Sequence, residues 1–469
     1  KRRRGQIMAD ITESKKVIKG SVLLYLKTPL LLKSGYGDVF SDSTIEKTFD
    51  GEKIHINGYN WAGLMRRCID RIKGGSPVAE KIGKYNKDRE GVSPLWCESS
   101  FIPISPMYIR AGNAIDRKYG AAKEGALFND EIAPAGLTMR LNWNYFLTDE
   151  DEKEIEELLL GALWVLNSGI ENIGGGWSYG MGRLGVKEVR LKTIDLKKPE
   201  DKTSLWRFDD ETIKKMDIIK PQDLKKPQIE KPWSVITASA SITKGQLLAI
   251  HSSYPVFDEK ESFYEYPDAF VYRGYIIKDN DDIKPEFIIP GRSIRQALLS
   301  VPIERKIRTK GRDIICDSLA GLCTCDECKK HRSKKKSEDS PECKCVKCNW
   351  FGSGAKGGII AVTDAVVEDG TTEIIHRINL CEHSMQNINL FSEEYLTHGT
   401  FRLNIIIDES RNKCEPHRLK EEVFWALNDM TENSASPPGW YRIGASSTAT
   451  GQVSIKGTPE IELCGGIDG

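Results

Sequence analysis

The densest chemistry in the chain is a run of cysteines. CTCDEC (Cys323 to Cys328) and CKCVKC (Cys343 to Cys348) each contain C-x-x-C, so Cys325, Cys328, Cys345 and Cys348 offer two thiolate pairs joined by 16 residues. That is ligand spacing for a tetrahedral zinc ion, with Cys323 and Cys343 as alternates and Cys316 and His331 as outer candidates. The intervening HRSKKKSEDSP carries no apolar residue with which to build a core, so the metal must organise it, and four sulfurs leave no open position for water. A zinc held this way is structural. Seven of the twelve cysteines lie between Cys316 and Cys348, a local cluster expected of a metal site in a reducing cytoplasm rather than of dispersed disulfides.

Two other segments could do chemistry. Asp38 closes KSGYGD on a glycine-bearing loop, and Asp258 closes HSSYPVFD at what reads as the matching place later in the chain; Asp42, Asp50 and Asp268 are alternates. A loop carboxylate can accept a proton or help place a divalent ion, and otherwise it is simply solvated. IGGGWSYGMGRLGV (Ile173 to Val186) brings together Gly174, Gly175, Gly176, Gly180, Gly182 and Gly185 with Arg183 and Lys187. Such a run either lets backbone N–H groups approach a phosphate or forms a turn packed against a sheet.

The elements that must position these residues occur twice. Leu127-Phe128, Glu131 and Gly136 recur 263 residues later as Leu390-Phe391, Glu394 and Gly399, and LWVLN (Leu163 to Asn167) recurs at 261 as FWALN (Phe424 to Asn428). Near-constant offsets over separated landmarks indicate two tandem domains, the extra length being loop insertions. The first shows a strand over 21–32, a helix over 59–72, a strand over 137–146, an acid-started helix over 149–167 and a strand over 185–191. The second shows strands over 234–251, 357–367 and 399–407 and helices over 292–300 and 418–430. This order predicts an α+β fold of two tandem ferredoxin-like (βαββαβ, RRM-like) domains. The boundaries expected are a tail 1–20, a first domain 21–192, a proline-bearing linker 193–232, a second domain 233–457 with the zinc-binding insertion 316–349, and a tail 458–469.

Lys plus Arg balance Asp plus Glu at 68 each, so net charge identifies no partner and any nucleic-acid surface must come from local segregation of basic residues. The longest apolar run, Leu158 to Leu166, is too short to span a bilayer, and no membrane partner is expected.

MYIRAGNAIDRKYGAAKEGALFNDEIAPAG (Met107 to Gly136), then a helix ending LWVLNSG, then IGGGWSYGMGRLGV, resembles the backbone subunits of type III CRISPR effector complexes, which belong to the repeat-associated mysterious protein (RAMP) superfamily. IIPGRSIRQALL (Ile288 to Leu299) and WFGSGAKGGIIAVTDAVV (Trp350 to Val367) resemble that family's strand-to-helix and FGS elements. Two fused domains with a cysteine insertion are most similar to the double backbone subunit of subtype III-D. The resemblance implies a palm that holds the CRISPR guide RNA, a hairpin thumb that kinks the guide–target duplex, and an aspartate near each kink that cleaves complementary target RNA with Mg²⁺ or another divalent ion. It places Asp38 and Asp258 in that catalytic role. Guide contacts would come from Tyr59, Asn60, Arg66 and Arg67, from Arg292, Ser293 and Arg295 as their later counterparts, and from Arg110, Arg117 and Lys118 in the thumb. Gly174, Gly175, Gly176, Gly180, Gly182 and Arg183 would add backbone and charge contacts to phosphate. Other backbone and signature subunits of the effector are the implied protein partners. The alternative within the family is a catalytically inactive RNA-binding scaffold; a precursor-processing endonuclease is disfavoured because no His sits beside a Tyr in either first helix.

Overall fold

The computed structural model describes residues 16–74, 78, 82, 93–104, 106–115, 122–147, 152–252, 256, 267–278, 282–309, 345–352, 357–380, 387–412, 416–431, 441–444 and 451–467. Asp258, Arg117, Lys118, His331 and Cys316, Cys323, Cys325, Cys328 and Cys343 lie outside those residues.

The first half runs β1 (Lys16–Leu26), β2 (Lys53–Ile56), α1 (Gly58–Ile72), β3 (Leu95–Cys97), β4 (Ser100–Pro103), β5 (Tyr108–Ile115), β6 (Ala122–Ile132), β7 (Thr138–Leu147), α2 (Glu152–Ser168) and β8 (Leu184–Asp195). α1 forms where Asn57 caps its first turn, accepting the Tyr59 N–H, and where Trp61, Leu64, Met65, Cys68 and Ile69 recur at three- and four-residue spacing. That face and the apolar face of α2 (Ile155, Leu159, Ala162, Leu163, Leu166) bury against alternate residues of the sheet, Val22 and Leu24 of β1 and Leu141 and Trp143 of β7 among them. Each such aliphatic side chain contributes about 1.5–3 kcal/mol when fully buried.

The stretch expected as a linker is tied to this sheet. It forms α3 (Pro199–Ser204), α4 (Asp210–Lys214) and β9 (Asp217–Ile219), and β9 pairs with β8 to give the strand order β3-β7-β1-β8-β9. The Lys19 ammonium, buried in β1, donates to the Ser204 and Leu205 carbonyls and sits over the Phe208 ring. A lysine there can be accommodated only because carbonyls accept its hydrogen bonds.

The second half runs β10 (Ser234–Ile242), β11 (His251–Ser252), β12 (Phe270–Val271), β13 (Arg273–Ile277), β14 (Ile283–Ile289), α5 (Gly291–Ile294), one π turn (Arg295–Ser300), α6 (Val301–Thr309), α7 (Val346–Phe351), β15 (Ile360–Val362), β16 (Ala365–Leu380), β17 (Asn387–Ile407), α8 (Pro416–Asn428) and β18 (Val453–Leu463). Its sheet order is β13-β14-β16-β17-β10-β18, with β15 also on β17. The helix expected over 292–300 continues to Thr309 through the π turn, in which the Val301 N–H reaches back to the Gln296 carbonyl just before Pro302, a residue with no N–H to give. β16 and β17 form one long hairpin, so the strand expected over 399–407 is the second half of a 21-residue strand.

The halves meet through buried ion pairs. The Arg71 guanidinium donates to Glu171 at 2.9 Å and grips Asp408 of the second half with both terminal nitrogens, at 2.9 and 2.8 Å. All three side chains are buried. Burial alone would raise the Asp408 carboxyl, but the Arg71 hydrogen bonds and charge win and hold it below the usual carboxylate range. Its contribution to stability is therefore present at neutral pH and lost as pH falls through the acid range. Arg71→Met removes the buried cation that the two carboxylates share, leaving Glu171 only Arg67 and Asp408 only Arg411, both far more exposed, and is expected to cost about 3 kcal/mol of unfolding free energy, the low end for breaking a buried pair, measured by chemical denaturation at neutral pH.

Candidate nucleic-acid interface

After β1 the chain leaves the sheet, and the way it is held fixes every carboxylate on the following loop. Leu30 and Ala133 exchange backbone hydrogen bonds at 2.9 and 3.0 Å, anchoring the exit to the end of β6. Beyond them Asp38 turns inward on its own loop: Oδ1 accepts the Phe40 N–H at 2.9 Å, the Ser41 N–H at 2.6 Å and the Ser41 hydroxyl at 2.9 Å. These bonds, the Ser41 hydroxyl first, lower its pKa and make it a turn-forming residue. Asp50 acts likewise, accepting from the Thr48 hydroxyl and the Glu52 N–H.

Asp42 is placed differently. It is exposed, its N–H donates to the Asn129 carbonyl at 2.8 Å, and its Oδ2 accepts the Asn129 N–H at 2.7 Å, so one carboxylate oxygen is pinned to strand β6. Among the described residues the other oxygen has no hydrogen bond. One turn further, Glu131 accepts the Ile45 N–H at 2.9 Å and pairs with Lys47 at 3.0 Å.

The second half repeats these contacts one for one. Leu248 and Leu396 exchange backbone bonds as Leu30 and Ala133 do, and the bridge of Ser43 to Asp130 recurs as Ala269 to Glu393. Asp268, also exposed, donates to the Ser392 carbonyl at 2.8 Å and accepts the Ser392 N–H on Oδ2 at 2.8 Å. Glu394 accepts the Val271 N–H at 2.9 Å and pairs with Arg273 at 2.8 Å. The matched carboxylates are thus Asp42 and Asp268. The run from Leu248 to Asp268 is eight residues longer than that from Leu30 to Asp42, and Asp258 lies outside the described residues, so Asp38 has no described counterpart. The signal was present in the sequence: Asp42-Ser-Thr-Ile-Glu-Lys47 and Asp268-Ala-Phe-Val-Tyr-Arg273 share an Asp, a β-branched residue three on and a cation five on.

The glycine segment also has its match. A side chain at Gly174 would meet the Leu31 carbonyl at 2.3 Å and one at Gly182 the Ile173 carbonyl at 2.0 Å; Gly444 and Gly451 stand in the same relation to the Ala249 and Ile443 carbonyls, at 2.2 and 2.0 Å. All four have positive φ. These approaches explain why Gly444 and Gly451 remain in the later segment: they match the two positions where a carbonyl of the same half leaves no room. At Gly180 the neighbour is Thr363 of the second half, at 2.4 Å, while Gly176 lies against Met181 and Gly175 has no contact closer than 3.7 Å. The segment is packed by the protein itself.

Several expected phosphate ligands are engaged elsewhere. Arg183 is fully buried, donating to the carbonyls of Gly169 and Trp177 at 2.9 Å and to that of Ile170, and burial pushes its pKa down to about 9. Arg110 is buried against Asp364 of the second half; burial is the largest influence on its pKa and lowers it, but Asp364, Tyr272 and Tyr108 together outweigh burial and hold the guanidinium above its ordinary value. Arg295 donates to the Ile360 and Phe351 carbonyls, and burial lowers it to about 10. Arg292 lies between the Phe128 and Tyr179 rings, 4.8 and 4.3 Å from their centroids. Gly58 and Gly291 both open helices under a carbonyl at 2.3 and 2.2 Å, so Arg292 and Ser293 match Tyr59 and Asn60, and Arg295 matches Ala62, not an arginine of α1. Tyr59, 84% exposed on the first turn of α1, Asn60, half-buried Arg66 and Arg67, which also pairs with Glu171 at 2.9 Å, form the accessible part of the expected set.

At the other candidate centre Cys345 and Cys348 are buried at the start of α7, and the Cys348 N–H donates to the Cys345 sulfur at 3.5 Å. Among the described residues no group of three or more His, Cys, Asp or Glu could hold a metal. The four thiols expected to complete or replace that pair lie outside them.

Residues 24–185 match the model of the RAMP superfamily. The match runs from within β1 into β8, taking in the Asp42 loop, the β5–β6 hairpin and the glycine segment; it supports a RAMP protein and is consistent with a CRISPR-associated RNA-binding subunit. No curated protein matches the chain. Among the described residues no helix is long and apolar enough to cross a membrane.

Arg183→Ala strips three carbonyls of a charged donor and is expected to lower unfolding free energy by about 2–3 kcal/mol. Arg66→Ala is expected to stay within about 0.5 kcal/mol of the parent. Denaturant titration of the two variants separates the folding role from the surface one.

Proposed function

We propose that the chain is a guide-RNA-binding backbone subunit of a type III CRISPR effector complex, of the fused double-backbone kind found in subtype III-D, and that it cleaves complementary target RNA at two sites. Each half is read as a ferredoxin-like domain: the order strand, helix, strand, strand, helix, strand is filled by β1, α1, β3, β7, α2, β8 and again by β10, α5–α6, β15, β17, α8, β18. The observation that carries the reading is the twofold recurrence of an exposed aspartate, Asp42 and Asp268, pinned through one oxygen to a hairpin strand.

A carboxylate held in this way keeps one oxygen directed and the other available. Beside a splayed nucleotide it can take the 2′-hydroxyl proton, or with a divalent ion such as Mg²⁺ it can help orient the phosphate; the ion would supply charge stabilisation to the developing phosphorane. Pinning by a backbone N–H removes the rotamer freedom that would otherwise be lost on binding. Tyr59, Asn60, Arg66 and Arg67 at the start of α1, with Arg292 and Ser293 in the second half, are the proposed guide contacts, reading phosphate and not sequence.

The test is to assemble the complex with guide RNA, add matched target RNA and Mg²⁺, and map the cuts. Asp42→Ala is expected to abolish one cut and Asp268→Ala another, each with guide binding retained within about threefold, while Asp38→Ala keeps both. Guide binding without any cut in the parent complex would assign the inactive scaffold role instead.

Zinc bound by Cys325, Cys328, Cys345 and Cys348, with Cys323 and Cys343 as alternates, remains part of this proposal. What supports it is the C-x-x-C pair at α7, whose buried N–H to sulfur contact suits a metal thiolate. Elemental analysis is expected to find one zinc per chain, and Cys345→Ser with Cys348→Ser is expected to remove it without abolishing the Asp42-dependent cut. A metal-free parent chain would overturn the assignment.

A further inference from the structure

Where the halves meet there is a cavity of about 450 Å³ that neither the aspartate loops nor the cysteine segment uses. Arg67, Arg71 and Trp177 line it from the first half, Asp408 and Arg411 from the second. Its floor is the buried network already described, and that network is one carboxylate short. Glu171 is shared by Arg67 and Arg71, and Asp408 by Arg71 and Arg411, so three guanidiniums have two carboxylates between them. Lys231 at the rim pairs with Asp70 and leaves this balance unchanged. The two outer guanidiniums are each held in one orientation. Arg67 donates Nε to Glu171 at 2.9 Å and Nη2 to the Asn172 carbonyl at 2.6 Å. Arg411 donates Nε to Asp408 at 2.9 Å and Nη2 to the Gly358 carbonyl at 2.8 Å, and its guanidinium lies 4.9 Å from the centroid of the Trp177 ring. Among the described residues neither Nη1 donates a hydrogen bond. The two side chains are 44% and 47% exposed, so a solute can reach them.

We infer that this cavity is a phosphate site gripped from both halves, in which Arg67 and Arg411 each give their remaining Nη1 donor to the oxygens of one nucleotide phosphate. The uncompensated positive charge calls for an anion. Guanidinium is a planar fork that matches phosphate, and stacking on an indole leaves its in-plane donors available. Glu171 and Asp408 fix the two forks in advance, so little side-chain freedom is lost when the anion arrives. The volume falls within the range of about 300–1,000 Å³ usual for small-molecule sites, more than a lone anion fills, and accommodates the sugar that carries the phosphate. That phosphate belongs to an RNA strand, which rests on the RNA-binding part of the function proposed above, or to a free nucleotide; the chemistry at the two arginines is the same. Arg67 stood among the expected guide contacts, whereas Arg411 did not, because its place opposite α1 is made by the fold. A phosphate held here ties the two halves together at one point, unlike the Asp42 and Asp268 loops, each of which belongs to one half.

The test uses the full chain, a labelled single-stranded RNA and a series of salt concentrations. Arg67→Gln and Arg411→Gln are each expected to weaken RNA binding about tenfold at low salt, the worth of a hydrogen bond to a charged group. Each is also expected to flatten the slope of log affinity against log salt by about 0.7, the share of one phosphate on a single strand. The double variant is expected to lose little more than either single one, because both arginines hold the same group. Arg411→Lys keeps the charge and is expected to keep the parent's slope. A purely structural role for these arginines would weaken binding without flattening the slope, and that result overturns the site. Calorimetry with adenosine monophosphate distinguishes the sources: binding heat in the parent that Arg411→Gln abolishes, with RNA affinity untouched by either substitution, assigns the phosphate to a free nucleotide. Variants that match the parent in RNA affinity, salt slope and nucleotide heat overturn the proposal. A parent chain that binds no RNA sinks the function proposed above, and the nucleotide titration then decides this site by itself.

Discussion

Everything at the candidate interface depends on a carboxylate in the hairpin strand capturing a backbone N–H of the loop that leaves the first strand. Glu131 takes the Ile45 N–H and Glu394 the Val271 N–H, each at 2.9 Å, and each is neutralised by a cation two residues further along the loop, Lys47 or Arg273. A buried carboxylate without such partners would be costly to keep charged, so hairpin and loop are obliged to come together in one register. Three residues upstream of each captured N–H that register sets Asp42 or Asp268 against the hairpin backbone. A loop otherwise rich in glycine and serine thereby presents an aspartate in a fixed direction.

The halves diverge where they touch each other. Ser99 accepts the Gly58 N–H at the start of α1, at 3.3 Å; the matching acceptor for Gly291 is Asp364, at 2.8 Å. The extra charge lets Asp364 hold Arg110 of the first hairpin as well, and Tyr272 adds its hydroxyl to that guanidinium at 2.9 Å. With Arg71 bridging Glu171 to Asp408, two buried arginines from the first half are satisfied by aspartates of the second. The same chemistry that recommends an arginine for phosphate recommends it for a planar, bidentate carboxylate partner.

That ambiguity explains what the sequence could and could not reveal. The periodic helices were legible because their apolar faces are long: α1 was expected to begin at Tyr59 and begins at Gly58, and α2 ends within a residue of its expected end. One recurring landmark of the sequence sits at a recurring contact: Glu131 and Glu394 each accept a loop N–H at 2.9 Å. Strand ends were less legible: the apolar run after Leu26 reads as more strand, yet Leu30 and Leu32 lie on the exit loop and bury their side chains in the core from there. The glycine run illustrates the same limit. Positive φ and a nearby carbonyl require glycine whether that carbonyl's neighbour is a phosphate or the protein's own chain, and only the fold distinguishes them. Asp38 stands out in the sequence by its glycine neighbours, whereas Asp42 is marked only by its spacing to Ile45 and Lys47, a pattern whose meaning comes from its partner Asn129 on another strand.

The most direct measurement is an electron cryo-microscopy structure of the chain in complex with guide and target RNA. The expected result is that the Asp42 and Asp268 carboxylates, still bonded to the Asn129 and Ser392 backbone N–H groups, each face a target-strand phosphate at equivalent kinks of the duplex. RNA lying on another face, or reaching one aspartate while the matching loop stands away from it, would contradict the claim that the two halves present the same site twice.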